Sequence, residues 1–587
     1  MSARNTVHLT TRSSDSAGPY RPTTGPFRQP TNTSLSYGMS RVDRISFTHP
    51  AAFWLGTAAV GAGVLAHLPD FVRSAGMGYR MGGMHMSTLM LVGMLLIIGG
   101  MGLTAFGLMP SHDRSASRTP ASGMHFQAMD AARLTSLHWG MMLVLGVALV
   151  IDVMKPATLG FVIPGMKGEY GLKGAQVALL PLIALSGTTI GSLLWGALAD
   201  RMGRRAAILL ASVLFMGTSI CGFMPSYSWN LFMCFVMGIA AGGMLPIVYA
   251  LMAESIPARR RGWLVVLHGG LGAAVGYLVA AGLAAWLEPQ FTWRMLWFAG
   301  LPTGLVLLVL NYWIPESPRY LLEHGRVEDA EAVMRRYGIE ITTAPEALAK
   351  TTASAPSAIQ APRSRARARS LFKPPYLGHT ITVLAYGLSW GLVNWGFLTF
   401  LPTILRDRGL SAVAANRLLF LSALIAVPGT VIVAYLYGLW SSKRSMILFA
   451  LVTCASLGAF AVVDPGGGGR NAGMLMPLVV LLLLGSGGII SMLSPYTAEV
   501  YPTRLRGTGS GLAAGSSKLG GIVAPPLAAW ILAASPGFAA IGLIVAIPVA
   551  VSAVVLAIAG VETRDRGLEE LTRARNGDPV QLQALDA

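Results

Sequence analysis

Stretch after stretch of this chain runs for about 20 residues with almost no charged side chain, the length an α-helix needs to cross the ~30 Å hydrocarbon layer of a bilayer. Such a sequence has few options. In lipid every backbone N–H and C=O must find a partner within the polypeptide, which leaves helices and closed barrels. A barrel would show short segments of alternating hydrophobicity instead. Composition agrees, since 53% of the 587 residues are hydrophobic and only 12% are charged, too apolar for an ordinary soluble protein. The expected fold class is an all-α membrane protein.

Fourteen spans are expected. Residues 1–45, rich in Ser, Thr, Pro, Gly and Arg, cannot build a core and read as a disordered tail without a cleavable signal. Residues 46–138 hold two leading spans, near 50–68 and 86–109, and a polar connection. Residues 139–313 hold six spans, here called core helices 1 to 6, and residues 377–560 hold core helices 7 to 12. Between them, residues 314–376 form a polar linker. Its first part, from Glu316 to Tyr337, has helical periodicity, and its later basic run PRSRARARS does not. Residues 561–587 are a charged tail.

The formal charge of +18 does not indicate nucleic acid, because the basic residues sit in loops between apolar spans. Arg201, Arg204, Arg205, Arg259, Arg260, Arg261, Lys443, Arg444, Arg504 and Arg506 all fall on one side, which the positive-inside rule makes cytoplasmic. An even number of spans then places both chain ends and the linker in the cytoplasm, with the protein in the plasma (cytoplasmic) membrane. Cys221, Cys234 and Cys454 lie in apolar stretches at no metal-binding or disulfide spacing. The Met- and His-containing stretch Gly76 to Met94 could attract Cu(I) through soft ligands, but methionine is also ordinary packing. No metal or cofactor is expected.

The chain also repeats itself. Displaced by 245 residues, GGMLPIVYALMAESIPARRRG (Gly242 to Gly262) matches GGIISMLSPYTAEVYPTRLRG (Gly487 to Gly507) at eight of twenty-one positions. The shared residues include Glu254/Glu499, Arg259/Arg504 and Arg261/Arg506, which chance apolar similarity would not produce. Two parallel six-helix halves of this kind place a binding site near the midplane and work by alternating access.

GALADRMGRR, Gly196 to Arg205, joins core helices 2 and 3 and resembles the signature of the major facilitator superfamily. PESPRYL, Pro315 to Leu321, and YTAEVYPTRLRGTG, Tyr496 to Gly509, are similar to motifs of its sugar-porter and organic-ion branches. The resemblance covers roughly residues 139–560. It implies a twelve-helix core of two pseudo-symmetric halves, to which this chain adds two N-terminal transmembrane helices. It also implies a cytoplasmic gate of Asp200, Arg204, Glu254, Arg259, Glu316, Arg319, Glu499 and Arg504. The plainer alternative is that the arginines only set topology and the acids cap helix ends. Some features depart from the pattern. YGLWSSKR, Tyr437 to Arg444, lacks the acid of its first-half counterpart; Cys234 stands where many proton-coupled relatives carry arginine; and the Gly-Pro pattern of drug antiporters is missing from HGGLGAAVGY, His268 to Tyr277.

Charges inside the spans mark candidate sites, because a charge at a helix centre costs ~2.5–3.5 kcal/mol unless it faces protein or water. Asp152 and Lys155 lie about 20 and 24 Å along core helix 1. They can face a solute, or pair with each other at i,i+3. Relatives that carry organic acids typically have a second Asp at the position of Lys155. Lys518, about 15 Å into core helix 11, is in a part of the helix that the resemblance turns toward the central cavity, so Lys155 and Lys518 are expected to approach an anion from opposite halves. Tyr386, Trp390 and Asn394 share one face of core helix 7 at i, i+4, i+8, with Trp395 beside them. They are candidates for an aromatic cavity wall or for packing. His268 can carry a coupling proton or be structural.

These residues lead to an expected transporter of a small organic solute, an organic anion with a carboxylate, by proton symport through alternating access. A neutral sugar or polyol carrier, a multidrug exporter and a non-transporting solute sensor remain open. No segment outside the spans is long enough for a sizeable catalytic domain, and no nucleophile and base stand together, so no enzyme is expected.

Overall fold

The computed structural model describes residues 46–109, 134–256, 258–337, 369–374, 376–462, 472–501, 503–534 and 538–563. The expected N-terminal and C-terminal tails and most of the basic linker run lie outside them. The described residues are helical with no strand. The spans are α1 (Pro50–Leu65), α2 (Thr88–Leu108), α3 (Ser136–Tyr170), α4 (Gly174–Met202), α5 (Arg204–Gly217), α6 (Tyr227–Ser255), α7 (Ala258–Phe291) and α8 (Gly300–Leu310), followed by α9 (Leu377–Val393), α10 (Ala412–Ala426), α11 (Ser442–Val462), α12 (Ala472–Val500), α13 (Thr503–Ala534) and α14 (Phe538–Ala559). Core helices 1 to 12 are thus α3 to α14. A π-helical turn, Asn394–Leu398, and a short helix, Leu401–Asp407, prolong α9. Two short helices, Pro318–Glu323 and Val327–Arg336, follow α8 where the linker's periodicity predicts helix.

Local chemistry sets several of these ends. Ser87, Ser226 and Ser411 each accept a hydrogen bond from the backbone N–H three residues on, at 3.2, 3.3 and 3.2 Å, satisfying donors that a helix start leaves free. Gly203 ends α4 at φ +101°, a backbone few other residues tolerate, and lets the chain turn directly into α5.

Thirteen helices among the described residues are long and apolar enough to cross a membrane, where fourteen spans are expected. The difference is α13. It has the length, at 32 residues, but its GSGLAAGSSKLGG stretch is Gly- and Ser-rich and carries Lys518. A helix that lines an internal cavity need not be apolar all round.

Small residues set how closely the helices approach. A methyl group at Gly238 of α6 would sit 2.0 Å from the carbonyl oxygen of Ala184 in α4, and one at Gly391 of α9 would sit 2.1 Å from that of Ser517 in α13. Such contact is how membrane helices gain packing energy without a hydrophobic drive between them. Large apolar side chains such as Ile98, Val309 and Ile558 cover the outside.

The leading pair, α1 and α2, is part of this body. Its helices pack against α5, where Ile97 and Val60 approach Gly217. The most apolar stretch of the span Arg204–Phe223 is 94% buried, because the pair covers a face that would otherwise meet lipid. Met81 and Met90 of the Met-rich stretch are buried in this packing. At the end of α3, the Glu169 carboxylate accepts the N–H groups of Met81 (3.1 Å) and Gly82 (2.9 Å) from the connection between α1 and α2. It also pairs with fully buried Arg294 at 2.6 Å and accepts from the Trp293 indole at 2.9 Å.

Candidate functional site

A cavity of about 580 Å³ lies between the two halves, within the range of sites for small molecules. Asp152, Phe161, Thr188, Tyr249 and Tyr277 line it from the first half, and Trp390, Asn394, Trp395, Thr430 and Lys518 from the second. Most of the wall is apolar. Among the described lining residues, Asp152 and Lys518 are the only charged side chains.

Asp152 sits near the middle of α3, only 4% exposed, and its Oδ1 has no hydrogen-bond partner among the described residues. Lys518 sits near the middle of α13. Its Nζ donates to the carbonyl oxygen of Thr188 in α4 at 3.3 Å, so the ammonium reaches from one half to the other. The two charges interact across the cavity, and Tyr249 of α6 also lies within electrostatic reach of Asp152.

Three candidates fall elsewhere. Lys155 does not line the cavity; it is 2% exposed, and its Nζ donates to the Phe215 carbonyl at 2.9 Å and to the Thr218 hydroxyl at 2.8 Å. Three residues along a helix is a rotation of about 60° short of a full turn, which points Lys155 into the junction of α3, α5 and α8. Gly300 makes room there, since a methyl group on it would lie 2.3 Å from Nζ. The expected approach of two lysines from opposite halves is therefore corrected to one lysine, and the i,i+3 pair with Asp152 does not form.

Tyr386 is fully buried and donates to the Met446 carbonyl of α11 at 3.2 Å. Eight residues carry a helix face round by about 80°, so Trp390 and Asn394 reach the cavity while Tyr386 packs behind it. His268 is also outside the lining. Its Nδ1 lies 2.8 Å from the Leu264 carbonyl one turn back in α7, and its Nε2 lies 3.1 Å from the Met142 carbonyl of α3; a neutral imidazole donates to one of these two acceptors.

At the arginine-rich end, buried Glu316 accepts the N–H groups of Arg204 (2.7 Å), Arg205 (3.3 Å) and Ser317 (3.0 Å) and the hydroxyl of Ser46 (3.3 Å). A carboxylate thus occupies the N-terminus of α5, where the helix dipole favours it. Burial nevertheless pushes the Glu316 carboxyl above its ordinary pKa, against those donors. A methyl group at Gly203 would meet this carboxylate at 2.3 Å, so the glycine of the DRMGRR turn serves both backbone and carboxylate. Arg204 lies 3.5 Å from the exposed Asp200. In the second half, Glu499 accepts from the Tyr437 hydroxyl at 2.7 Å and the Thr563 hydroxyl at 2.6 Å. The side chains of Glu254, Arg259, Arg319 and Arg504 lie outside the described residues.

Sequence reasoning missed two groups. Glu562 accepts the Ser442 N–H at 2.9 Å and bonds the hydroxyls of Ser441 and Ser442 at the start of α11, repeating the part that Glu316 plays at α5. The signal was present, because Glu562-Thr563 follows the last core helix as Glu316-Ser317 follows core helix 6.

The second group lies at the opposite end from the arginines, where ion pairs join the halves. Lys167 at the end of α3 meets both carboxylate oxygens of Asp407 at 2.8 Å. Arg406 meets Glu288 of α7 at 2.6 Å, and Asn416 of α10 donates to the same Glu288 oxygen at 2.6 Å. Beneath them a methyl group at Gly160 would lie 2.8 Å from the Thr399 carbonyl, so α3 and the extension of α9 touch. These contacts join the halves at that end of the cavity. Its lining continues toward the arginine-rich end along α12 and α13 to Leu493, Ser494 and Ser510.

Comparison with known proteins agrees with this architecture. The profile described as "Sugar (and other) transporter" matches residues 155–574. The chain is 26% identical over 440 residues to the niacin transporter NiaP of Acinetobacter baylyi (strain ATCC 33305 / BD413 / ADP1), an alignment that covers 74% of this chain and 96% of the relative. It is 27% identical over 466 residues to the 4-hydroxybenzoate transporter PcaK of the same strain, covering 76% and 97%. Among solved structures, the proton:xylose symporter XylE bound to a bromodeoxyglucose superposes with a TM-score of 0.60 at 18% identity, over 76% of this chain and 100% of that one. The partially occluded, inward-open form of XylE from E. coli superposes at 0.58 and 19% identity, over 74% and 100%. With its two six-helix halves, central cavity and Asp-Arg turn, the chain belongs to the sugar (and other) transporter family of the major facilitator superfamily and is a multi-pass membrane transporter of small molecules.

Proposed function

We propose that this transporter carries an organic anion with a carboxylate group, together with a proton. The observation that carries the reading is the cavity wall, which is mostly apolar and aromatic with one ammonium, Lys518, and one carboxylate, Asp152, near the middle of their helices. A planar acid fits such a wall, its ring against Trp390 and Trp395 and its carboxylate on Lys518. Asn394 and Thr430 supply polar contacts. Relatives named for niacin, 4-hydroxybenzoate and benzoate support the same class. In this reading Asp152 takes the coupling proton. It is nearly inaccessible, half-unpartnered and shares the cavity with Lys518, the one cation among the described lining residues, so its charge depends on what else Lys518 holds.

The arginine-rich side is the cytoplasmic side of the plasma membrane by the positive-inside rule, which makes the ion-paired junction of the halves the outer end and supports an inward-facing state. Asp200, Arg204, Glu316 and Glu499, with Glu254, Arg259, Arg319 and Arg504, form the cytoplasmic gate that closes when the halves rock the other way.

The test is uptake into proteoliposomes of labelled nicotinate, benzoate, 4-hydroxybenzoate and xylose, with and without an acidic exterior, for the wild type and Lys518→Ala. Acid-stimulated uptake of a carboxylate that is lost in Lys518→Ala supports the reading. Xylose uptake that survives Lys518→Ala, with no carboxylate transported, replaces it with a neutral-sugar carrier.

A further inference from the structure

We propose that the cavity is charge-balanced for one proton and one monocarboxylate, so that the Lys518 ammonium balances either the Asp152 carboxylate or the substrate and net transport is electroneutral. This rests on the reading above that the substrate is a carboxylate taken up with a proton.

The charges can be counted. Among the described lining residues the cavity holds one acid and one base, Asp152 and Lys518. The other ionisable groups near Asp152 are phenols, with Tyr249 in electrostatic reach and Tyr277 also in the wall. Lys155, one turn along α3, is turned into the first half with its ammonium on Phe215 and Thr218. His268 is outside the wall, with its ring between the Leu264 and Met142 carbonyls, one of which accepts its N–H in the neutral form.

An empty cavity, Asp152 as carboxylate and Lys518 as ammonium, therefore sums to zero. A cavity holding one carboxylate, with a proton on the Asp152 oxygen and Lys518 as ammonium, also sums to zero. The two half-loaded states do not. The proton alone leaves one positive charge, and the anion alone leaves one negative charge. When the halves rock, the cavity is cut off from water, and an unbalanced charge in low dielectric is strongly disfavoured. Only the empty and the doubly loaded carrier cross readily, which is the condition for tight coupling.

Position makes the exchange possible. Lys518 belongs to the second half, whereas Asp152 and the Thr188 carbonyl it touches belong to the first. A substrate carboxylate arriving on Lys518 neutralises the ammonium that otherwise balances Asp152 across the cavity. The Asp152 carboxylate then loses its counter-charge and takes a proton from the medium on the open side. On the other side the substrate leaves, the Lys518 ammonium again balances Asp152, and the proton is released.

The experiment uses the full-length protein in proteoliposomes, with labelled nicotinate and 4-hydroxybenzoate as probes. Initial rates are corrected with protein-free vesicles of the same lipid. An acidic exterior is expected to drive net uptake, approaching about tenfold accumulation per pH unit, and an inside-negative potassium–valinomycin potential alone is expected to change nothing. Uptake that responds to the potential at equal pH overturns electroneutrality while leaving proton symport standing. Uptake of the probes indifferent to the pH step overturns the symport reading itself.

Asp152→Asn adds a second readout. Its empty cavity is positive and its anion-loaded cavity neutral, so vesicles preloaded with nicotinate are expected to keep nicotinate exchange and lose pH-driven net uptake. Net pH-driven uptake persisting in Asp152→Asn overturns the proposal. The potential measurement on the wild type decides the matter if this variant fails to fold.

Discussion

Lys155 and Lys518 are the same residue type within membrane-spanning helices, and their surroundings assign them different work. Lys518 faces the cavity, and Lys518→Ala is expected to lower carboxylate uptake by about tenfold or more, the equivalent of ~1.4 kcal/mol of lost binding to the reacting state. Lys155 is sealed between α3, α5 and α8. Lys155→Ala is expected to lower stability by about 2–4 kcal/mol through the void and the abandoned Phe215 carbonyl, with the KM of the remaining folded protein unchanged. Thermal unfolding and uptake kinetics on both variants check this, and a KM effect confined to Lys155→Ala would reverse the assignment. Glu316 carries a pH signature. Its folded carboxyl is raised above the ordinary 4.5, so the folded protein holds this proton more firmly than the unfolded chain does. The stabilisation is fully present below the unfolded value and is lost as pH rises through the folded one. Melting temperature is therefore expected to climb as pH falls toward 4.5, and Glu316→Gln should flatten that slope. A slope unchanged in Glu316→Gln would assign it to other groups.

At the scale of the elements, the ends of α3, α7, α9 and α10 matter most, because there the two halves are held by charge. Lys167 and Asp407 are substantially exposed, and a pair of that kind contributes only ~0–1 kcal/mol. Glu288 and Arg406 are far more buried, at 9% and 17% side-chain exposure, and share Asn416. Breaking such a pair costs ~3–5 kcal/mol, enough to change the balance between two carrier states by a factor of a hundred or more. Arg406→Ala is expected to open the cavity at this end. A cysteine introduced at Ala423 in the cavity wall should then be modified from that side by an impermeant thiol reagent. The charge swap Glu288→Arg with Arg406→Glu should restore protection. Unchanged modification in Arg406→Ala would mean that the apolar contact of α3 with the α9 extension closes the cavity without the ion pair.

Over the whole molecule, the leading pair of helices is built into the first half. It covers α5, and the connection between α1 and α2 is held by the carboxylate that neutralises buried Arg294. Removing Glu169 strands that arginine and frees two backbone N–H groups at once. Glu169→Ala is expected to destabilise the protein by about 3–5 kcal/mol, read as a fall in melting temperature in lipid nanodiscs. Limited proteolysis between Ser74 and Ser87 should appear in the same variant. A variant with wild-type melting would mean that helix packing alone holds the pair.

What the sequence determined by itself is what depends on local composition and repetition. Apolar length made the spans, arginine placement distinguished the two ends, and the repeat of Glu254 and Arg259 at Glu499 and Arg504 revealed the halves. The DRMGRR turn pointed to the family. Tertiary structure alone decided which charged side chains share a cavity. A helix turns by about 100° per residue, so Asp152 and Lys155, neighbours in sequence, point to different partners, while Asp152 and Lys518 line one cavity from opposite halves. The Lys167–Asp407 and Glu288–Arg406 contacts were illegible for the same reason. Each joins residues more than a hundred positions apart, and nothing local in the chain states which helix end will stand beside which.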